Sequence, residues 1–275
     1  MSYTAQITRN NPSCILILVD HSNSMQEVYG GDVTSTKAEE VANAINNVLR
    51  NLVLKSAKNS GLGDYFYVGV LGYGDQVASA FGGALAGQPW VPISQVANNP
   101  LRIEEQTIRQ QTPGGQWVDR TMKRPIWVEP VCNGWTPMDA VLNQARTYLD
   151  VFLGRYPDCF PPIVINITDG MPSDKDPRDS ASALRSLASS DGNVLLFNIH
   201  ITSDDADSIA FPDSEAGMTD KLAKLLFRMS SPLPASMHAE ARKAGFNVND
   251  QSRCFVYNAD ASVLVKFLNV GTASA

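Results

Sequence analysis

Residues 14–25 read CILILVDHSNSM, an apolar run that breaks abruptly into Asp20-His21-Ser22-Asn23-Ser24. The run predicts a strand buried on both faces, of the kind found inside a parallel sheet. The break puts one carboxylate and two hydroxyls at a spacing of two, at the strand's carboxyl end. That edge is where open α/β sheets bind ligands. Oxygen-only side chains in such a place suit a hard divalent cation such as Mg²⁺.

Outward from this stretch, helix and strand patterns alternate. Val33 to Asn59 carries helix signals: Thr36-x-x-Glu39 fits a capping box, and Val41, Ile45, Val48, Leu49 and Leu52 recur at helical spacing. Gly61-Leu62-Gly63-Asp64 ends it. Tyr65 to Tyr73 reads as a second buried strand, and Val77 to Phe81 as a short edge strand. A further helix starts at Thr136-Pro137, proline after a threonine cap, and carries Val141, Leu142, Ala145, Tyr148, Leu149 and Phe152 on one face. Pro161 to Thr168 (PPIVINIT) is a strand closing in Asp169-Gly170. Ser180–Ser189 and Thr219–Met229 read as helices, Asn193–Ile201 and Arg253–Asn258 as strands, and Ala261–Leu268 as a closing helix. The alternation implies an α/β fold with a doubly wound, mostly parallel central sheet and helices on both faces.

Residues 1–275 read as one domain with two insertions. The first, 82–134, is rich in Pro and Gly, with β-like pieces at Gln88–Val96 and Gln116–Val131, and reads as an inserted β-rich lobe. The second, 203–250, is irregular and partly helical. Hydrophobic content of 44% and charged content of 18% are ordinary for a globular protein. A net charge of −6 argues against a nucleic-acid binder. No run is long enough to span a membrane, and no apolar segment of signal-peptide length opens the chain. Cys14, Cys132, Cys159 and Cys254 are scattered without a C-x-x-C pair, which fits buried, reduced thiols and a cytoplasmic location.

Three strand ends carry the chemistry. Asp20, Ser22 and Ser24 follow the first strand, Thr136 stands at a helix start, and Thr168-Asp169-Gly170 closes the strand that begins at Pro161. In a parallel sheet these ends share one edge, so their loops can converge. D-x-S-x-S, a lone Thr and T-D-G in this order resemble the metal-ion-dependent adhesion site (MIDAS) of von Willebrand factor A (VWA) domains. The resemblance runs from Cys14 to Leu268, without the two insertions. It implies a VWA/Rossmann-like fold and a cation, Mg²⁺ or else Mn²⁺ or Ca²⁺, at Asp20, Ser22, Ser24, Thr136 and Asp169. It further implies direct contact through the three hydroxyls, with both carboxylates acting mainly through water and Thr136 and Asp169 able to exchange roles. A partner's Asp or Glu then fills the replaceable position. The chain departs from the family at Asn23, where Gly is usual, and at Trp135, often Gly. Asn suits a loop that needs positive φ.

The resemblance points to the intracellular, bacterial stand-alone members. The expectation is a cytosolic protein-binding adaptor in a multi-component stress or phage-defence system, with an AAA+ ATPase, kinase or phosphatase as partner. The alternative is a metal-dependent phosphohydrolase or other hydrolase at the same site. No Gly-x-Ser-x-Gly elbow, P-loop or G-x-G-x-x-G occurs, and a phosphohydrolase calls for more direct carboxylates, so no enzyme is expected. His21 reads as a loop residue turned away from the cation, and His200 as a core residue. Trp90, Trp117, Trp127 and Trp135 all fall in or beside the first insertion, as a small local core or a recognition surface. Asp204, Asp205, Asp207, Asp213 and Glu215 read as a solvated face rather than a second cation site. Leu222, Leu225, Leu226 and Met229 face the core.

Overall fold

The computed structural model describes residues 2–29, 34–58, 61–111, 115–202 and 207–271. Strand β1, Ser13–Asp20, is buried along its whole length. Its alternate side chains enter two separate cores: Ile15, Ile17 and Val19 on one face, Cys14, Leu16 and Leu18 on the other. Helix α1 (Lys37–Ser56) follows, with the capping box formed at Thr36 and Glu39. A small ribbon, β2 (Ala57–Lys58) with β3 (Gly61–Leu62), leads into β4 (Phe66–Tyr73), which pairs parallel with β1 and sets Tyr73 opposite Asp20. Strand β5 (Val77–Ser79) runs back along β4 as the expected edge strand, ending two residues early.

The stretch 82–134 differs from expectation in a short helix and in one strand of a hairpin that the sequence reading did not name. Of the piece Gln88–Val96, expected to be β-like, only β6 (Val91–Pro92) is extended, and Ile93–Asn98 is helix α2. Ile93 and Val96 are both fully buried. Three residues apart, they share a face on a helix and would point to opposite faces on a strand. Strands β7 (Arg102–Gln111) and β8 (Trp117–Ile126) form a long antiparallel hairpin. The four tryptophans do not gather into a local core. Trp127 is buried and donates its ring N–H to the Val96 carbonyl at 2.6 Å. Trp90 packs edge-on to Tyr67 and Phe152, while Trp117 and Trp135 are exposed.

Helix α3 (Met138–Arg155), strand β9 (Ile163–Thr168), helix α4 (Arg178–Ser186) and strand β10 (Leu195–His200) continue the alternation. Then come β11 (Ile209–Ala210), α5 (Lys221–Met229), α6 (His238–Lys243), β12 (Phe255–Tyr257) and α7 (Ala261–Gly271). The sheet order is β11-β12-β10-β9-β1-β4-β5, with β6 also paired to β4. The strands β4, β1, β9, β10 and β12 are parallel to one another, and β11 and β5 are antiparallel edges. Helices α1 and α7 cover one face through Ile45, Leu49, Leu264 and Phe267, and α3, α4 and α5 cover the other through Leu142, Leu149, Leu184 and Leu226. The fold is therefore doubly wound α/β. Winding proceeds outward from β1 to β4 on one side and from β9 on the other, so its direction reverses between β1 and β9. Such a reversal opens a crevice at the carboxyl edge. No helix among the described residues is long and apolar enough to cross a membrane.

One side chain ties the hairpin to this frame. Asn46, buried on α1, accepts the backbone N–H groups of Trp127 and Val128 at 2.9 and 3.1 Å and donates to the Val128 carbonyl at 2.9 Å. An Asn46→Leu change leaves those buried groups unpaired, a loss of about 2–3 kcal/mol. Urea denaturation should show that loss, and amide exchange should show Trp127 and Val128 exposed selectively. Unchanged protection at both amides would mean that packing alone holds the segment.

Candidate metal centre

Asp20, the last residue of β1, lies where the winding reverses, with no exposed surface. One carboxylate oxygen, Oδ1, accepts the Ser22 backbone N–H at 2.8 Å. The other, Oδ2, accepts the Thr168 hydroxyl at 2.5 Å from the end of β9. No ion pair reaches Asp20 among the described residues. Burial drives its pKa up from 3.8 to about 6, and the Asp169 charge adds to this, against hydrogen bonds from Thr168 and Ser22 that pull it down. A desolvated carboxylate fed only by neutral donors carries a charge that a bound cation would compensate.

The hydroxyls expected at this place are there. Ser22 is the cap of a short 3₁₀ turn but makes no capping bond with its side chain. Its Oγ lies instead 3.0 Å from Ser24 Oγ, and Ser24 donates to Asp169 Oδ1 at 2.6 Å. Thr136 closes the group from the other side. A Cβ built on Gly170 would stand 2.9 Å from Thr136 Oγ1 and 3.5 Å from Asp20 Oδ2, so a glycine hydrogen occupies the gap between two oxygens. All five sequence-predicted residues thus converge on one edge of the sheet. Two carboxylates and three hydroxyls make an oxygen-only donor set, which fits a hard divalent cation. Among the described residues no group of three or more His, Cys, Asp and Glu side chains is gathered in metal-binding geometry, so the candidate centre depends on its hydroxyls as well as its two carboxylates.

Thr136 does not cap helix α3, as its position before Pro137 suggested. The helix begins one residue later, at Met138. Asp174, in the loop after β9, accepts the backbone N–H groups of Asp139 and Ala140 at 3.2 and 2.9 Å and takes over the cap. The Thr136 hydroxyl is left for the centre. Its backbone is fixed to the same loop, for its N–H donates to Ser173 Oγ and its carbonyl accepts the Ser173 N–H, both at 2.9 Å.

Asn23 serves a different purpose from the one expected. Its φ is not positive. It exchanges hydrogen bonds with Gly134, Asn23 N–H to the Gly134 carbonyl and Gly134 N–H to Asn23 Oδ1, both 3.2 Å, and so joins the Asp20 loop to the Thr136 loop. Gly134 itself takes φ +99°, and a Cβ there would fall 2.3 Å from the Asp75 nitrogen. His21 is turned from the centre as expected. A Cβ on Gly72 would meet the His21 ring at 2.0 Å, so the imidazole rests against that glycine, and burial lowers its pKa to about 4. Trp135 is 74% exposed and Met171 53% exposed, beside Thr136 and Gly170 respectively.

Sequence reading missed Lys37. Its Nζ donates to Asp169 Oδ2 at 2.9 Å and to Glu27 Oε2 at 2.7 Å from an almost fully buried position. Burial alone would lower the Lys37 pKa, but the hydrogen bonds and charges of Glu27 and Asp169 outweigh it and raise it. A signal was available, because a lysine at the first position of a helix opposes the helix dipole unless a carboxylate holds it. A cleft of about 590 Å³ opens next to this pair, bounded by Met171, His200 and Lys221. His200 is buried and stacked on Tyr257. The second-cation reading of the acidic stretch gains nothing: Asp213 binds Asn249, Glu215 pairs with Arg228, and Asp204 and Asp205 lie outside the described residues. Leu222, Leu226 and Met229 are buried, and Leu225 packs against the same core.

No protein-family model matches the chain, and no curated protein sequence does. Among solved structures, it is similar to a von Willebrand factor type A protein from Catenulispora acidiphila (19% identity, 70% of this chain and 34% of that one, TM-score 0.39). It is similar also to the pilus adhesin SpaC from Lactobacillus rhamnosus GG (14%, 98% and 31%, TM-score 0.47). A third is the ArnB paralog VWA2 from Sulfolobus acidocaldarius (14%, 70% and 36%, TM-score 0.35). The chain spans about a third of the length of these structures. At such identities and scores the assignment rests on the chain's own topology and site. Sheet order and winding define a doubly wound α/β domain, VWA/Rossmann-like in fold.

The buried carboxylate sets a pH-dependent test. In protein kept free of divalent cations, the raised Asp20 pKa means that the folded state holds its proton more tightly than the unfolded state. Stability attributable to Asp20 is therefore full below pH 3.8 and falls as pH rises towards 6. The ionised group at neutral pH costs about 3 kcal/mol. Asp20→Asn removes that dependence. Urea denaturation in chelator should find the variant more stable than wild type at pH 7 and the two converging near pH 4. A variant that is less stable at pH 7 would show that Asp20 is satisfied without a cation.

Proposed function

We propose that the chain is a VWA-type binding module that holds a divalent cation, Mg²⁺ or else Mn²⁺ or Ca²⁺, and through it a carboxylate of a protein partner. The observation that carries this reading is Asp20, a fully buried carboxylate without an ion-pair partner among the described residues, ringed by Ser22, Ser24 and Thr136 hydroxyls. Bound there, the cation supplies a Lewis-acidic anchor for an incoming carboxylate. The hydroxyls donate lone pairs without neutralising charge. Asp20 and Asp169 balance the charge from behind, held in place by Thr168, Ser24 and Lys37. Trp135 and Met171 flank the approach with exposed apolar surface, a composition common where proteins meet.

The reading is of an adaptor, not an enzyme. Neither His21, lodged against Gly72, nor any cysteine thiol stands among the five centre residues as nucleophile or base. The four free thiols fit a reducing compartment such as the bacterial cytoplasm. The acidic partner then belongs to a multi-component system of the kind the resemblance implies, one built with an AAA+ ATPase, kinase or phosphatase.

Calorimetric titration with Mg²⁺ and Mn²⁺, paired with thermal melts, tests the reading. A cation bound at a hundred times its Kd stabilises by about 2.7 kcal/mol, which for a domain of this size raises Tm by roughly 5 °C. Wild type should show that rise. Asp20→Asn should show none, and Ser22→Ala or Thr136→Ala should lose at least tenfold in affinity. A wild-type Tm indifferent to both cations refutes the centre. Turnover of p-nitrophenyl phosphate by wild type that disappears in Ser22→Ala would replace the adaptor with the hydrolase.

A further inference from the structure

Lys37 is the first residue of α1, the end at which the helix dipole disfavours a cation. It is nevertheless held there by three bonds. Its backbone N–H donates to the Glu27 carbonyl at 2.9 Å, and its ammonium reaches Glu27 and Asp169. The two ion pairs differ in weight. Glu27 is 61% exposed, so water screens its charge, whereas Lys37 and Asp169 are only 4% and 1% exposed. Asp169 is thereby fully engaged, one oxygen accepting Ser24 and the other accepting Lys37.

We infer that Lys37 is a resident counter-cation of the centre. It holds Asp169 back from direct ligation, weakens the centre for divalent cations and leaves the loaded centre net positive towards a carboxylate. This rests on the cation-binding reading above and extends it. The charge count makes the consequence plain. Asp20, Asp169 and Lys37 together carry one net negative charge, which a divalent cation turns into one net positive charge. A single partner carboxylate neutralises that. Without Lys37 the loaded centre would already be neutral before any partner arrived, and the cation would bind more tightly while attracting a carboxylate less. Lys37 is thus a specificity-setting residue that trades metal affinity for partner affinity.

The test uses Mn²⁺ alone, with free ion counted by electron paramagnetic resonance and heat by calorimetry, on the full chain and on Lys37→Met. Removing one nearby positive charge should tighten Mn²⁺ at least tenfold, and Lys37→Arg, which keeps the charge, should stay close to wild type. Binding by the Met variant only would also support the inference. Equal or weaker binding by the Met variant, with wild type binding normally, overturns the inference and leaves the cation centre standing. No binding by either protein overturns both. Should Lys37→Met fail to fold in chelator, recovery of its fold at saturating Mn²⁺ supports the inference. Failure at every Mn²⁺ concentration overturns it in favour of a purely structural ion pair.

Discussion

The structure around the sheet's carboxyl edge is organised by one unfavourable fact, a carboxylate taken out of water at the end of the central strand. Asp20 is as buried as Leu18 two residues earlier, and an uncompensated charge in such a place is among the most expensive things a fold can contain. Its surroundings follow from that. The Ser22 N–H and the Thr168 hydroxyl are committed to it. Ser22 and Thr136 leave their hydroxyls out of helix caps. Asp174 takes the cap that Thr136 forgoes. A lysine is placed against a helix dipole to neutralise the second carboxylate. Each is a local preference overridden in the same direction, and such a concentration of overrides is what a functional site leaves in a fold.

Convergence of the loops depends on features remote in sequence. Asp20 and Thr168 end adjacent strands, and their proximity comes from the parallel register of β1 on β9. Thr136 arrives from a loop that follows a long hairpin, and nothing in the sheet fixes its position. Ser173 holds its backbone directly, and two residues of the Asp20 loop hold the residues before it: Asn23 through its paired bonds with Gly134, and His21 through a carbonyl that accepts the Asn133 N–H at 2.6 Å. The His21 ring can lie where it does only because Gly72 has no side chain. The residues between the expected ligands therefore help assemble the site, through backbone groups and the Asn23 side chain.

This divides what the sequence disclosed from what it hid. The apolar runs at Cys14–Val19, Tyr65–Tyr73, Pro161–Thr168 and Asn193–Ile201 carry the sheet, and long amphipathic patterns carry α1 and α3, because burial imposes a period on the chain. That the five candidate residues would lie together was legible since each sits next to a strand end or helix start that the pattern already marked. Ile93–Asn98 was misread because a six-residue helix offers only one repeat of its period. The roles of Asn23, Lys37 and Asp174 were hidden for another reason. Each acts on a residue far along the chain, Gly134, Asp169 and Asp139, and no local pattern reports a partner 35 to 132 positions away. The tryptophans mislead similarly: close in sequence, they divide between the main cores and the surface.

Neutral hydroxyls at the centre also bear on reversibility. A site of four or five direct carboxylates would bind a divalent cation tightly and cancel its charge, leaving little attraction for an incoming anion. Here two carboxylates lie behind three hydroxyls, and one of the two is shared with Lys37. With a cation held as proposed, this arrangement would leave positive charge at the surface, beside the exposed Trp135 and Met171. The same arrangement leaves the cation-free protein carrying Asp20 at a loss. A cation bound as proposed would offset the cost of the buried Asp20 charge, and would tie partner binding and domain stability to that single carboxylate.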